Sequence, residues 1–254
     1  MARRETYRSR NIDKIEDEKP GFYNKADFTI NEAQQQEFAD GKLLLINKPL
    51  HWTSFDIIRK LRSLLRIKKI GHAGTLDPLA TGLVIVCTGK FTKKINDYMA
   101  QEKEYTGHFT LGAVTPSYDL ETEPEQFKDY SFVTAEMLEA AAHNFIGEIE
   151  QLPPIYSAIK KDGVRLYELA RKGEEIELQT RKVFIKDFVI TNINLPVVEF
   201  KVTCSTGTYI RSLANDFGAE LGCGAYLSSL CRTRIGEFSL DNSLTMQAFE
   251  ETLQ

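Results

Sequence analysis

No run of apolar residues in the 254-residue chain approaches the length needed to span a bilayer. The first ten residues, Met1 to Arg10, are basic in the manner of a signal peptide, but no apolar stretch follows them, so secretion is not expected. Cysteine is sparse, and none of Cys87, Cys204, Cys223 and Cys231 stands in a Cys-x-x-Cys pair. That spacing disfavours a zinc site and leaves reduced, mostly buried thiols of a cytoplasmic protein as the expectation. There is no internal repeat, no Gly-Lys-Ser/Thr that would complete a P-loop, and no dinucleotide-binding glycine fingerprint.

The composition is that of a soluble globular protein, with 42% hydrophobic and 27% charged residues. The length suits one large domain or two small ones. A net charge of −4, taken alone, speaks against a nucleic-acid partner, but the charge is segregated. Residues 59–69 hold Arg59, Lys60, Arg62, Arg66, Lys68 and Lys69 with no acid, whereas residues 119–129 hold Asp119, Glu121, Glu123, Glu125 and Asp129 against a single lysine. A local positive field on an acidic protein suffices to attract a phosphate backbone. The basic residues cluster near the chemistry identified below, and the acids are expected to lie elsewhere.

Residues 1–40 are polar without sustained periodicity and read as a flexible or loosely docked tail, with the globular part running over 41–254. That part opens on a buried strand at 41–47. Thr53-Ser54-Phe55-Asp56 resembles a capping box, and Ile57, Ile58, Leu61, Leu64 and Leu65 follow at helical spacing. Arg59, Arg62 and Arg66 fall off that stripe; they make either a solvated face or an RNA-facing one. Residues 83–87 predict a buried strand, 91–99 a short helix, and 103–111 an alternating strand. An acidic loop over 113–131 precedes helices at 134–145 and 166–171. The stretches 176–193 and 197–205 predict adjacent antiparallel strands, 210–221 a helix capped by Gly222, and 244–253 a closing helix. The class is α+β, with a mixed, mostly antiparallel sheet flanked by helices.

The segment Gly71 to Gly82 holds three glycines and a proline, with one imidazole, His72, and one carboxylate, Asp77. It lies between a basic helix and a buried strand, as functional loops commonly do. Asp77 precedes a proline, which biases its backbone away from helix. A carboxylate on an extended turn can serve as nucleophile or general base, but spacing alone favours an aspartate that bonds its own turn.

The segment resembles the catalytic motif of the TruB family of tRNA pseudouridine synthases, Gly-His-x-Gly-x-Leu-Asp-Pro-x-Ala-x-Gly. Further segments match in order: Asn47-Lys48-Pro49 with Thr53-Ser54, Lys103-Glu104-Tyr105, Tyr156-Ser157-Ala158-Ile159-Lys160, Gly207-Thr208-Tyr209-Ile210-Arg211, and Leu221 to Leu227. The resemblance runs from about residue 41 to about residue 250. It implies the pseudouridine synthase catalytic fold and the conversion of uridine to pseudouridine at position 55 in the T-arm loop of tRNA. It also implies base flipping, with no metal or organic cofactor. Asp77 matches the family aspartate that acts at C1′ as the N-glycosidic bond breaks, either by adding there or by removing the 2′ proton. Tyr105 matches the tyrosine that stacks on the target base and handles the proton at C5. Arg211 matches the arginine that pairs with the aspartate and aims it. Tyr209 belongs to the same motif, and Leu230 falls at the position of a base-packing leucine. His72 matches the residue that takes the space left by the flipped base. Lys48 matches a lysine near the catalytic loop, and Lys160, in the Tyr156 to Lys160 match, is either an RNA contact or a solvated lysine.

Many family members carry a C-terminal RNA-binding PUA domain; with the sequence ending at Gln254, the expectation is a member that lacks that domain or has a shorter variant of it. The basic residues Arg3, Arg4, Arg8 and Arg10 stand as a possible substitute for its grip. Residues 115–129 lack the glycine-rich acidic motif of many relatives. A noncatalytic tRNA-binding or folding module is the alternative; it has no use for Asp77, Tyr105 and Arg211 together. A two-carboxylate glycosidase needs a second positioned acid, and the matched segments show none. Relatives guided by a separate RNA usually keep the C-terminal domain. The expectation is therefore a cytoplasmic monomer acting on tRNA with no guide RNA and no membrane.

Overall fold

A computed structural model describes residues 30–156 and 178–254, together with the backbone of 160–161 and 164–165. The basic residues at 3–10, the expected helix at 166–171 and the side chain of Lys160 lie outside the described residues. The chain runs α1 (Glu32–Asp40), β1 (Leu43–Lys48), α2 (Ser54–Leu65), β2 (Ile70–His72) and β3 (Ala80–Thr88). A 3₁₀ turn (Gly89–Lys94) leads to α3 (Ile95–Ala100), β4 (Lys103–Leu111), α4 (Ala135–Asn144) and β5 (Gly147–Gln151). Then come β6 (Lys160–Lys161), β7 (Val164–Arg165), β8 (Arg181–Asn194), β9 (Val197–Cys204), α5 (Ile210–Glu220) and β10 (Ala225–Ile235). The described chain closes with β11 (Phe238–Ser239), a second 3₁₀ turn (Leu240–Asn242), β12 (Leu244–Thr245) and α6 (Met246–Glu251).

One sheet of ten strands organises the molecule, in the order β12-β1-β3-β10-β4-β9-β8-β5, with β2 on β3 and β11 on β10; β6 and β7 pair separately. The pairs β1–β12 and β3–β10 are parallel and the other pairs of the sheet antiparallel, the mixed, mostly antiparallel α+β sheet expected. β3 reads as an unbroken apolar run because both its faces are covered. Val84 and Val86 pack with Ile57, Leu61 and Leu65 of α2, while Leu83, Ile85 and Cys87 join Ile235, Ile95 and Tyr98 on the opposite side. β4 alternates instead, burying Lys103, Tyr105, Gly107, Phe109 and Leu111 in turn. Phe109 stacks on Phe200 of β9 at 4.1 Å and meets Phe188 of β8 and Phe217 of α5, which fastens α5 to the sheet.

The capping box at α2 is formed. Thr53 Oγ1 accepts the Asp56 N–H at 3.0 Å, and the Asp56 carboxylate accepts the Thr53 N–H at 2.9 Å. Its five predicted apolar residues are buried, and Arg59, Arg62 and Arg66 are exposed. Three readings need correction. The expected tail to residue 40 ends earlier, because α1 carries its own capping box of Asn31 with Gln34 and docks Phe38 edge-on against Phe249. A helix that buries one phenylalanine has no apolar stripe for periodicity to reveal. The expected helix at 91–99 divides into the 3₁₀ turn and α3, and the closing helix begins only after β12. Strand β10, at the centre of the sheet, had no expectation at all. Its register shifts after Leu227 and after Arg232 interrupt the alternation, and one of its buried positions, Arg232, is charged.

Gly218 lies where α5 crosses β10, and a Cβ there would stand 2.0 Å from the Ala225 nitrogen. Glycine to alanine inside a helix ordinarily gains about 1 kcal/mol. Here a rigid backbone occupies the space, and overpacking of that kind costs about 1–3 kcal/mol or more. G218A is therefore expected to lower the unfolding free energy by about 2 kcal/mol in denaturant titration. A stabilised variant would contradict this packing of α5 on β10.

Candidate active site

Asp77 stands on the turn between β2 and β3, and three separate elements hold that turn. Ser54, the first residue of α2, bonds both the carbonyl and the N–H of Leu76, at 3.1 and 2.8 Å. Lys48, at the end of β1, is fully buried and donates to the carbonyls of Trp52 at 2.6 Å, Pro49 at 2.9 Å and Pro78 at 3.4 Å. His51 donates its backbone N–H to the Pro78 carbonyl at 2.8 Å, from a left-handed conformation with φ 65°. Burial brings the Lys48 ammonium down to about 8, with the nearby Asp77 opposing the shift.

The Asp77 carboxylate projects toward α5, where Arg211 Nε lies 3.0 Å away. Arg211 is almost wholly buried, whereas the Asp77 side chain keeps 40% of its surface open. A second carboxylate, Asp119, stands 3.7 Å from the same Nε and is itself buried. Arg211 also donates to the Ser117 carbonyl at 3.4 Å. Burial raises the Asp119 carboxyl above the usual range, and the Arg211 charge opposes that rise. The Asp119 loop is tied to β10, since the Leu227 N–H donates to the Tyr118 carbonyl at 2.9 Å. Asp77, Asp119 and Arg211, with His51, Leu120, Leu227 and Leu230, line a cavity of about 300 Å³. Its lining thus combines leucines with the ion-paired carboxylates.

The cavity thus brings together Asp77, Arg211 and Leu230 of the expected site. Tyr105 is buried on β4, opposite Arg232 of β10 in the sheet register. Burial raises the Tyr105 phenol, and Arg232 counteracts it. Tyr209 begins α5. Its backbone N–H and carbonyl are both engaged by the buried Gln151 amide at 2.7 and 3.0 Å, and Arg181 stacks on its ring at 4.3 Å. Lys48 lies beneath the Asp77 turn with its ammonium spent on carbonyls. His72 sits on β2, outside the cavity lining, with a buried Nδ1 that has no hydrogen-bond partner among the described residues. Burial lowers its pKa.

Sequence reasoning placed the acidic stretch away from the chemistry and found no second carboxylate in the matched segments. Asp119, which lies outside those segments, overturns the first reading. Its position within a solvated run of acids hid it, because the surrounding glutamates carry no comparable role. Arg232 and Gln151 were missed for a related reason: buried polar side chains on strands look like surface residues in a sequence. Among the described residues, no group of three or more His, Cys, Asp or Glu is placed to hold a metal ion.

Comparison with known proteins gives consistent results. Residues 62–210 match the TruB family pseudouridylate synthase N-terminal domain, and residues 211–254 match the tRNA pseudouridylate synthase B C-terminal domain. The boundary between the two falls at the start of α5, within one continuous sheet. The tRNA pseudouridine synthase B of Flavobacterium johnsoniae is 54% identical over 226 residues, covering 86% of this chain and 99% of that protein. The protein of the same name from Parabacteroides distasonis is 48% identical, covering 86% and 95%. Among solved structures, a Cbf5-Nop10-Gar1 complex matches with a TM-score of 0.67 and 27% identity, over 85% of this chain and 55% of that one. The chain therefore spans about half the length of that solved relative.

The buried ammonium makes a test of the turn's anchor. Lys48 titrates near 8 in the folded chain against 10.5 for the free side chain. Between those values the unfolded chain binds more protons, so this group makes the fold gain stability as pH rises from about 8 to 10.5. K48M lacks the titration. The difference in unfolding free energy, wild type minus K48M, is expected to grow with pH across that window in parallel denaturant titrations. A constant difference would place the ammonium in water rather than beneath the Asp77 turn.

Proposed function

The chain belongs to the TruB family of pseudouridylate synthases, and from that premise we propose that Asp77 is the group that acts on the target uridine, at position 55 in the T-arm loop of tRNA. One observation carries the reading. A carboxylate half open to a cavity is held at 3.0 Å by a buried arginine. Structural ion pairs on a surface have no need of such enclosure, and a turn-capping aspartate would spend its oxygens on its own backbone.

The chemistry follows from what uridine isomerisation demands. The N-glycosidic bond must break, the base must turn, and C5 must bond to C1′. As nitrogen leaves, positive charge develops at C1′, and a fixed carboxylate stabilises it where it forms. Arg211 holds Asp77 in place, and the buried Asp119 faces the same guanidinium nitrogen. A uridine in a folded loop must be extruded, at a cost of a few kcal/mol. Leu227 and Leu230 of the cavity lining receive the base. Tyr105 stacks on it and manages the C5 proton. Tyr209 and Arg181 form the neighbouring rim, and His72 and Lys160 contact the RNA that the base has left.

Residues 41–254 act as one catalytic domain, with α1 docked on it, since the sheet runs through both family segments. The enzyme works in the cytoplasm as a monomer on tRNA, without a guide RNA. The near-complete coverage of a curated relative named for tRNA supports that reading. Among the described residues, no helix is long and apolar enough to cross a membrane.

The test is incubation of the purified protein with a T-arm stem-loop labelled with tritium at uridine C5. Tritium release and a pseudouridine mapped to the target position are expected. D77N is expected to slow release by more than about a thousandfold while remaining folded. Normal release by D77N would defeat the assignment, and no release by the wild type would favour a noncatalytic RNA-binding module.

A further inference from the structure

Arg232 is 1% exposed, among the most enclosed large side chains of the chain, and it lies outside the cavity lining. Its donors spread over two parts of the site. Nε donates to the Leu83 carbonyl of β3 at 2.8 Å. The two terminal nitrogens donate to the carbonyls of Thr75 and Gly74 at 3.4 and 3.2 Å. Directly across the sheet register, Tyr105 of β4 stands opposite Arg232, both side chains buried. All of these partners are neutral. Taking an arginine out of water without a carboxylate beside it costs several kcal/mol, and an apolar side chain of the same volume would fill the space at lower cost. Packing alone does not account for it.

The glycine pattern of the Asp77 segment is built around the same residue. Gly82 has φ +105°, and a Cβ there would stand 2.4 Å from the Arg232 carbonyl oxygen. β3 can approach β10 this closely only with no side chain at 82. Gly74, whose carbonyl accepts from the guanidinium, has φ +95°. The two bonded carbonyls lie two and three residues before Asp77.

We propose that Arg232 is a positioning residue for the isomerisation: its planar fork ties the loop that carries Asp77 to the hydroxyl of Tyr105, so that the two reacting groups are held against each other by one rigid side chain. This rests on the reading that Asp77 and Tyr105 both act on the uridine. A guanidinium suits the task because its five donors lie in one plane at fixed angles, whereas a lysine brings the charge without the geometry. A misplacement of about 1 Å between reacting groups costs about a hundredfold in rate.

The experiment uses the full chain and the tritiated T-arm stem-loop, with wild type, R232K, Y105F and the double variant. R232K keeps the charge and loses the fork. It is expected to lower kcat by about a hundredfold, with KM within about twofold of wild type. In the Y105F background, which lacks the hydroxyl, the same substitution is expected to cost much less, because the shared contact is already gone. An equal factor in both backgrounds, or a raised KM with kcat retained, would overturn the proposal. Backbone amide exchange at Gly74 to Asp77 decides the matter even if R232K does not fold. Removing the Tyr105 hydroxyl in Y105F is expected to speed exchange there, and unchanged exchange overturns the tie. A fully active R232K beside an inactive D77N defeats this inference alone, whereas an active D77N defeats the functional reading beneath it.

Discussion

A guanidinium removed from water must find anions, and Arg211 finds two. Asp77 and Asp119 come from turns that are distant in sequence, and both converge on one nitrogen at 3.0 and 3.7 Å. This convergence requires α5 to present its first turn to the sheet, which the Phe109, Phe188, Phe200 and Phe217 cluster secures. It requires the loop after β4 to fold back on β10, which the Tyr118–Leu227 contact secures. The asymmetry of exposure then has a chemical meaning. Arg211 and Asp119 are enclosed, so the most exposed polar group of the triad is the Asp77 carboxylate. A buried pair contributes little net stability, because desolvation offsets attraction. Its value lies in orientation.

The Asp77 turn itself shows how the fold spends buried cations. Lys48 binds three carbonyls, and Arg232 binds three more. Lys103 binds the carbonyls of Gln101 and Met99 where β4 begins, and burial lowers it to about 8. Such contacts satisfy backbone groups that irregular loops leave without partners, and that would otherwise cost about 1–3 kcal/mol each. They also explain why these loops are rigid without being helical or extended. Three of the chain's cations therefore face inward, onto backbone. The cations left at the surface include Arg59 and Arg62 of α2 and Arg66 at its C-cap.

Much of this was legible in the sequence, for identifiable reasons. α2 declared itself through a complete capping box and five apolar residues at helical spacing, and β4 through strict alternation. Asp77, Tyr105 and Arg211 were legible only as members of an ordered set of motifs, since the spacing around Asp77 alone favoured a turn. The illegible parts share one physical cause. Periodicity detects apolar faces, and β10, Asp119, Gln151 and Arg232 are buried polar or irregular features whose partners are brought together by tertiary structure. A residue such as Gln151, fully enclosed and bonded to both backbone groups of Tyr209, is indistinguishable in sequence from a solvated glutamine.

The same cause bears on why the site lies where three loops meet a sheet. An extruded uridine must be gripped on its apolar face, its sugar and its flanking phosphates at once, and no single helix or strand offers all three. Loops offer them, but free loops lose rate to misplacement. The fold resolves the conflict by anchoring each loop to a rigid element through a charged side chain. Lys48 anchors the β1–α2 loop, Arg232 the Asp77 turn, and Arg211 the meeting of that turn with the Asp119 loop. The glycines at 74 and 82 then follow as a steric consequence, because backbone that lies against an anchoring arginine has no room or conformation for a side chain. The motif around Asp77 is therefore a record of how its aspartate is held, as much as of what it does.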